Sequence, residues 1–276
     1  MAFGREFPRL VFEGRPRLDP DFWLFAAVGF AAQLVDGCLG MAYGVVSTTS
    51  LLALGVPPPN ASASVHAAKV FTGAASAVSH IMHRNVDWKL LLHLSIAGVI
   101  GGVVGTFVLT GIDGNAIKPY VIAWLGLMGL VILWRAWKGT RPRVSPWTHP
   151  APVGLFGGFF DAVGGGGWGP VVTSTLIGSG TNARHAVGTT NSAEFFVAVA
   201  ISAAFLGALL TGRWEEADGL KDHVWAVVGL IAGGVAAAPL AGWMTKVLPV
   251  RLLTWIVGLL VVVLAVWQAI QHFKLF

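Results

Sequence analysis

Long apolar stretches alternate with short polar connections along the chain. After a polar stretch over residues 1–21, apolar segments run at about 22–56, 61–82, 90–110 and 117–137. A basic connection with Lys138, Arg141, Arg143 and three prolines follows, and the pattern resumes at about 151–180, 186–210, 224–245 and 252–271. Six of these segments match the roughly 20 residues of one helical membrane crossing, and none alternates like a barrel strand. Residues 22–56 are too long, because a continuous helix would reach about 52 Å at 1.5 Å per residue against a hydrocarbon core of about 30 Å. That segment is interrupted by Asp36-Gly-Cys-Leu-Gly40, and 151–180 by Asp161-Ala-Val-Gly164-Gly-Gly-Gly167. The pattern predicts an all-α polytopic membrane protein. Each half is a Gly-broken, re-entrant hairpin followed by three transmembrane helices.

The two halves resemble each other. Adding 125 to a position in the first break gives its counterpart: Asp36 and Asp161, Gly40 and Gly165, Tyr43 and Trp168, Gly44 and Gly169, Thr48 and Thr173. Ten of the 36 positions from 36 to 71 are identical at this offset, a register that also sets Lys69 on Glu194. Further on the offset becomes 131, pairing Gly98 with Gly229 and Trp124 with Trp255. The domains expected are a polar tail at 1–21, a first repeat at 22–138, a basic cytoplasmic connection at 139–149 and a second repeat at 150–276. Internal repeats of this kind build many secondary transporters. A hairpin plus three crossings is an odd count, which inverts the second half. The positive-inside rule pulls the other way. It gives 13 Lys/Arg inside and four outside if all segments cross, but nine and eight with hairpins.

Composition narrows the function. The 276 residues are 55% hydrophobic and 11% charged, with mean hydropathy +0.72, whereas soluble domains are about a quarter charged. A soluble enzyme, a disordered protein and a nucleic-acid binder are excluded. The net charge of +5 resides in connections, so no nucleic-acid partner is expected. A single Cys excludes a disulfide framework and a Cys-based zinc site. Residues 1–21 hold no apolar run, so no cleavable signal peptide is expected. Four of the 31 charged residues fall inside apolar stretches: Asp36, Lys69, Asp161 and Glu194. Each costs about 2.5–3.5 kcal/mol to insert, so an intramembrane charge marks a candidate functional site.

The second break holds a chemistry of its own. Pro170 suits the first turn of a new helix, and the glycines before it expose backbone N–H groups. Bare N–H groups at a helix N-terminus at membrane depth form an anion site. This makes Gly165, Gly166, Gly167, Trp168 and Thr173 candidate substrate ligands, with Tyr43, Ser47 and Thr48 on the corresponding ground of the first half. The competing reading is close packing of helices through small residues. Asp36 and Asp161 read either as caps of the second half-helices or as proton carriers. Gly164, Gly166 and Gly169 also fit G-x-G-x-x-G, but no strand precedes them, so a nucleotide loop is discarded.

On the helix at 61–83, His66, Lys69, Gly73, Ser76, His80 and His83 step by three or four and share a face. In its partner, Asn191, Glu194, Ala198 and Ser202 do the same, with Thr190 beside them. Lys69 reads as an anion ligand or the ion-pair partner of Glu194, and His66 as a donor to an oxyanion or a satisfied buried histidine. Ser76, His80 and Ser202 are expected to line a cavity. No metal and no cofactor are expected. Trp23, Trp88, Trp134, Trp137, Trp214, Trp225 and Trp267 lie near segment ends, as interfacial anchors do, and Trp168 is placed to wall the site.

These residues resemble the TauE/SafE family of sulfite exporters and related anion transporters. The likeness is carried by Asp36-Gly-Cys-Leu-Gly-Met-Ala-Tyr43-Gly44, Ser62-Ala-Ser-Val-His66-Ala-Ala-Lys69 and Asp87-Trp88. In the second half it rests on Asp161 to Pro170 and Ala186-Val-Gly-Thr-Thr-Asn191-Ser-Ala-Glu194. The resemblance spans residues 22–271. It implies secondary transport, usually outward, of a small sulfur-containing anion such as sulfite or an organosulfonate, without enzymatic activity. It places the protein in a bacterial inner membrane, among lipid, with a homodimer as one possible assembly. The first half departs from the family's Gly run, which puts a two-fold symmetric site in doubt. The alternatives are a permease for another anion or for a divalent metal, an intramembrane enzyme, and a non-transporting scaffold.

Overall fold

The computed structural model describes residues 20–138, 149–214, 224–244 and 250–274. The polar tail, most of the basic central connection and much of the acidic connection near 211–222 lie outside the described residues. The described chain is helical, with no strand among its residues: α1 (Pro20–Leu39), α2 (Tyr43–Ala53), α3 (Pro58–Met82), α4 (Trp88–Thr110), α5 (Gly114–Lys138), α6 (Pro150–Gly164), a π-helical turn (Gly169–Thr173) leading into α7 (Ser174–Gly178), α8 (Ala183–Leu210), α9 (Val224–Met244) and α10 (Val250–Phe273).

Local chemistry accounts for the helix starts. Pro58 and Pro150 occupy first turns, where a missing N–H leaves nothing unpaired. Asp87 caps α4 by accepting from the Lys89 and Leu90 amides at 3.0 Å each, and Asn182 caps α8 through the Arg184 amide at 3.0 Å. Trp88–Thr110, Gly114–Lys138, Ala183–Leu210 and Thr254–Phe273 are long and apolar enough to cross a membrane. Their outward faces are apolar too: Ile96, Ile100, Val104 and Phe107 on α4, and Leu259, Val263 and Val266 on α10, are exposed. A water-soluble protein does not leave so much contiguous apolar surface uncovered.

The helices of the two halves interlock. α1 packs along α9 and α4 along α6, through small residues that let backbones touch. A Cβ on Gly233 would collide with the Ala26 carbonyl, and one on Gly158 with the Gly98 carbonyl. α3 runs antiparallel to α8: Lys69 meets Glu194 mid-helix, while Arg184 at the start of α8 reaches the His83 carbonyl at the end of α3. α5 and α10 are also antiparallel, since Gly126 lies on Ala265 and Gly258 on Leu133. α4 and α8 run parallel, with Gly98 on Val197 and Gly102 on Ile201.

One tryptophan corrects the expectation of an interfacial belt. Trp23, Trp88, Trp134, Trp137, Trp225 and Trp267 are exposed, but Trp214 is buried against Phe205, their ring centroids 5.3 Å apart. Segment ends are where anchors sit, but at Trp214 the ring packs inward on α8 instead of facing outward.

Candidate functional site

Each broken segment is closed by its own aspartate. Asp36, in the last turn of α1, accepts through Oδ1 from the backbone amides of Ala42 (2.8 Å) and Tyr43 (3.1 Å). Asp161, in α6, does the same with Gly167 (2.8 Å) and Trp168 (3.1 Å). Both carboxylates therefore cap the helix that follows the break, the plainer of the two roles read from sequence. The expectation of bare N–H groups in the Gly run needs correction. The amides of Gly167 and Trp168 are already taken, because a short loop beside an aspartate lets the chain supply its own anion.

The two breaks are also built alike despite their different sequences. Only one glycine in each has to take up a left-handed backbone: Gly40 and Gly165, both at φ +65°. These are positions where side chains are strained. Cys-Leu and Met-Ala stand in the first break where the second has further glycines, without altering the turn.

The breaks cross each other at the centre of the bundle. The Thr48 hydroxyl donates to the Gly165 carbonyl at 2.8 Å, and the Thr173 hydroxyl to the Gly40 carbonyl at 2.9 Å. A Cβ on Gly44 would meet the Gly165 carbonyl at 2.8 Å, and one on Gly169 would collide with the Gly40 carbonyl. Thr173 also shares a hydrogen bond of 2.8 Å with Thr190, whose hydroxyl lies 2.8 Å from the Ala186 carbonyl.

Around this crossing the four intramembrane charges gather. Lys69 Nζ lies 3.0 and 2.9 Å from the two Asp161 carboxylate oxygens and 2.7 Å from Glu194 Oε1. The pairing expected with Glu194 is present, and Asp161 adds a second partner. His66 Nε2 stands 3.1 Å from Asp161 Oδ2, and its Nδ1 2.8 Å from the Ser62 carbonyl. Both ring nitrogens thus have an oxygen partner within the protein. The Ser62 hydroxyl donates to the Ala162 carbonyl, tying α3 to α6. Asp161 thus has the amides of Gly167 and Trp168, Lys69 and His66 around it, as a buried charge requires.

A narrow cleft of about 10 Å³ opens beside the cluster. Of the residues singled out in the sequence, Asp36, Tyr43, Lys69, Ser76, Asn191 and Glu194 line it. His66, Thr48, Thr173, Thr190 and Asp161 are buried next to it, in the crossing. Tyr43 donates to the Leu230 carbonyl at 3.0 Å. Trp168 is buried, with its indole N–H on the Thr190 carbonyl at 3.0 Å, so it holds the second break against α8. Gly165 and Gly166 press against Thr48 and Val45. Ser47 is buried with its hydroxyl unpartnered, as is the Ser202 hydroxyl farther along α8. His80 lies 3.4 Å from the side-chain amides of both Asn85 and Asn191. Among the described residues, no group of three or more His, Cys, Asp or Glu is placed to hold a metal ion.

Four contributors were not read from the sequence. Gln33 and Thr72 line the cleft. Gln33 lies three residues before Asp36, one helical turn away on the same face, and that spacing was a usable signal. Arg135 donates to Ser174 Oγ (2.8 Å) and contacts Met41 Sδ (3.4 Å), bridging the two breaks. Its place at a segment end disguised it as part of the basic connection. Trp124 donates to the Gly166 carbonyl at 3.3 Å and stacks on Phe160 with centroids 4.2 Å apart.

Comparison with known proteins agrees with this architecture. The sequence profile described as "Sulfite exporter TauE/SafE" matches residues 25–268. A relative from Bacillus subtilis (strain 168), named "Probable membrane transporter protein YtnM", is 43% identical over 242 residues, covering 85% of this chain and 78% of its own. No solved structure matches the chain. With the family profile running from α1 into α10, through both breaks and the charge cluster, the chain belongs to the TauE/SafE family and is an integral membrane transporter.

Proposed function

We propose that the protein exports sulfite or a small organosulfonate across a bacterial inner membrane, by alternating access between two inverted repeats. The observation that carries this reading is the set of donors converging on one buried carboxylate. Two backbone amides at a helix start, an ammonium and an imidazole surround Asp161. Such a set recognises an oxyanion, and Lys69 opens onto the cleft as well as onto Asp161. A substrate oxyanion entering from the cleft competes with Asp161 and Glu194 for Lys69, with Tyr43 and Asn191 beside it. Asp36, Asp161 and Glu194 supply the groups that take up or release a proton as that exchange occurs.

The inverted arrangement draws support from helix directions. α3 and α8 are counterparts at the 125 offset and run antiparallel, as do the counterparts α5 and α10 at the 131 offset. Four crossings per half would leave such counterparts parallel. Inversion instead requires an odd count, with α1–α2 and α6–α7 as re-entrant hairpins that touch near mid-membrane, where transporter sites lie. The central basic connection is then cytoplasmic.

A divalent-metal permease finds less support. His66 is held by Ser62 and Asp161, His80 lies beside Asn85 and Asn191, and His83 bonds to the Ser79 carbonyl. The three rings thus have separate partners rather than a common centre. The test is flux of labelled sulfite and of a sulfonate in proteoliposomes, with and without a pH gradient. Gradient-driven flux that vanishes in Lys69→Gln supports the reading, and absence of flux for both anions would remove it.

A further inference from the structure

We propose that the cleft beside Asp36 is a binding site for one sodium-sized monovalent cation that balances the buried carboxylates and couples to transport. The argument begins with charge. Three carboxylates, Asp36, Asp161 and Glu194, share the centre of the bundle with Lys69 and His66. Lys69 is engaged by Asp161 and Glu194, and His66 by Asp161. With all three carboxylates ionised, these two side chains leave at least one negative charge without a partner. Arg135, the cation that bridges the breaks, points Nη1 at Ser174 and Met41 rather than at a carboxylate. Asp36 has two backbone amides and no ion pair among the described contacts. An uncompensated charge at this depth costs several kcal/mol, which a bound cation removes.

The lining of the cleft is chemically suited to that cation. Asp36 and Glu194 face it with carboxylates, Gln33 and Asn191 with amides, and Thr72, Ser76 and Tyr43 with hydroxyls, while the Lys69 ammonium at its wall is held 2.7 Å from Glu194. Hard monovalent cations at membrane depth are bound by oxygens of this kind, near the C-terminal ends of broken helices, and Asp36 sits in the last turn of α1. An independent sign comes from Asn191. It is 2% exposed, yet its Oδ1 has no hydrogen-bond partner, so a buried acceptor on this cleft awaits a positive group. The space of about 10 Å³ is near the lower limit for a single water-sized particle.

The inference rests on the transporter reading for its coupling role, but binding is measured without it. Radioactive sodium is equilibrated with the purified protein in detergent, at constant ionic strength made up with N-methylglucamine. We expect saturable binding that weakens at least roughly tenfold in Asp36→Asn and in Asn191→Ala. Asp36 also caps α2, so Asn191→Ala and Ser76→Ala test the site if Asp36→Asn does not fold. No saturable sodium binding by the folded wild type, or equal binding in the wild type and the folded variants, overturns the site and leaves the balancing charge to a proton. Sodium binding without flux of sulfite or sulfonate retains the site and removes the anion reading. Anion flux with no sodium binding does the reverse.

Discussion

The hydroxyl of Thr48 donates to the carbonyl of Gly165, 117 residues away, at 2.8 Å. The bond has a counterpart from Thr173 to Gly40 at 2.9 Å. Gly40 and Gly165 follow the ends of α1 and α6, where carbonyls lose their intrahelical donors. Each half therefore completes the broken helix of the other, and the two breaks are one unit. Under the proposed rocking of one half against the other, these bonds would have to slide or break.

Removing either hydroxyl tests that unit. Thr48→Val and Thr173→Val should each destabilise the protein by about 1–2 kcal/mol. A membrane-interior hydrogen bond is worth about 0.6–1.7 kcal/mol, and the orphaned carbonyl adds desolvation. Thr→Ser at either position should be nearly neutral. Unfolding in mixed micelles would measure this, and a loss at one position without the other would show that the two bonds are not equivalent.

Bulk at the crossing should be worse than a lost bond. Gly44→Ala meets the Gly165 carbonyl and Lys69 Nζ, each at 2.8 Å, and Gly169→Ala meets the Gly40 carbonyl and Met41 backbone. Backbone cannot move aside as a side chain can, so each change should cost about 1–3 kcal/mol or more and abolish flux. Gly207→Ala, in α8 with nothing near its Cβ position, should be neutral or stabilising by about 0.5–1 kcal/mol. Thermal unfolding of the three variants decides this, and tolerance of Gly44→Ala would refute the close crossing.

Lys69 allows stability and transport to be tested against each other. Lys69→Gln leaves Asp161 and Glu194 without their ammonium, and breaking a buried pair in this way costs about 3–5 kcal/mol. The loss should fall at the lower end, because His66 and two amides still hold Asp161. Adding Glu194→Gln should restore part of the stability, but not transport. Parallel unfolding and flux measurements separate the two effects. Recovery of flux in the double variant would mean that Lys69 only neutralises carboxylates.

Much of this was legible in the sequence because membrane insertion makes charge expensive. Asp36, Lys69, Asp161 and Glu194 stood out against apolar runs, and the structure gathers all four. The 125-residue offset paired the two aspartates and the two threonines, and both pairs make corresponding hydrogen bonds. What the sequence hid was partnership across the halves. Lys69 pairs with Asp161 as well as with its counterpart Glu194, because the crossing of the breaks brings α6 beside α3. The amides of the Gly run looked free because a linear reading does not show a chain folding back onto its own carboxylate. Arg135 was hidden by its position, since a cation one turn from a helix end resembles any interfacial arginine.

That arginine carries a final prediction. Arg135 links Ser174 after the second break to Met41 in the first, so it holds the two breaks at a fixed separation. If the Ser174 bond is what matters, Arg135→Ala and Ser174→Ala should destabilise the protein to similar degrees, and the double variant should be little worse than either. A double-mutant cycle on unfolding free energy should give a coupling of about 1–2 kcal/mol, well above the 0.3–0.5 kcal/mol within which independent sites add. Arg135→Lys should retain part of the coupling, because an ammonium reaches one acceptor but lacks the planar fork. Additive single effects would mean that Arg135 acts through its charge or its packing, and that the breaks are held together by Thr48 and Thr173 alone.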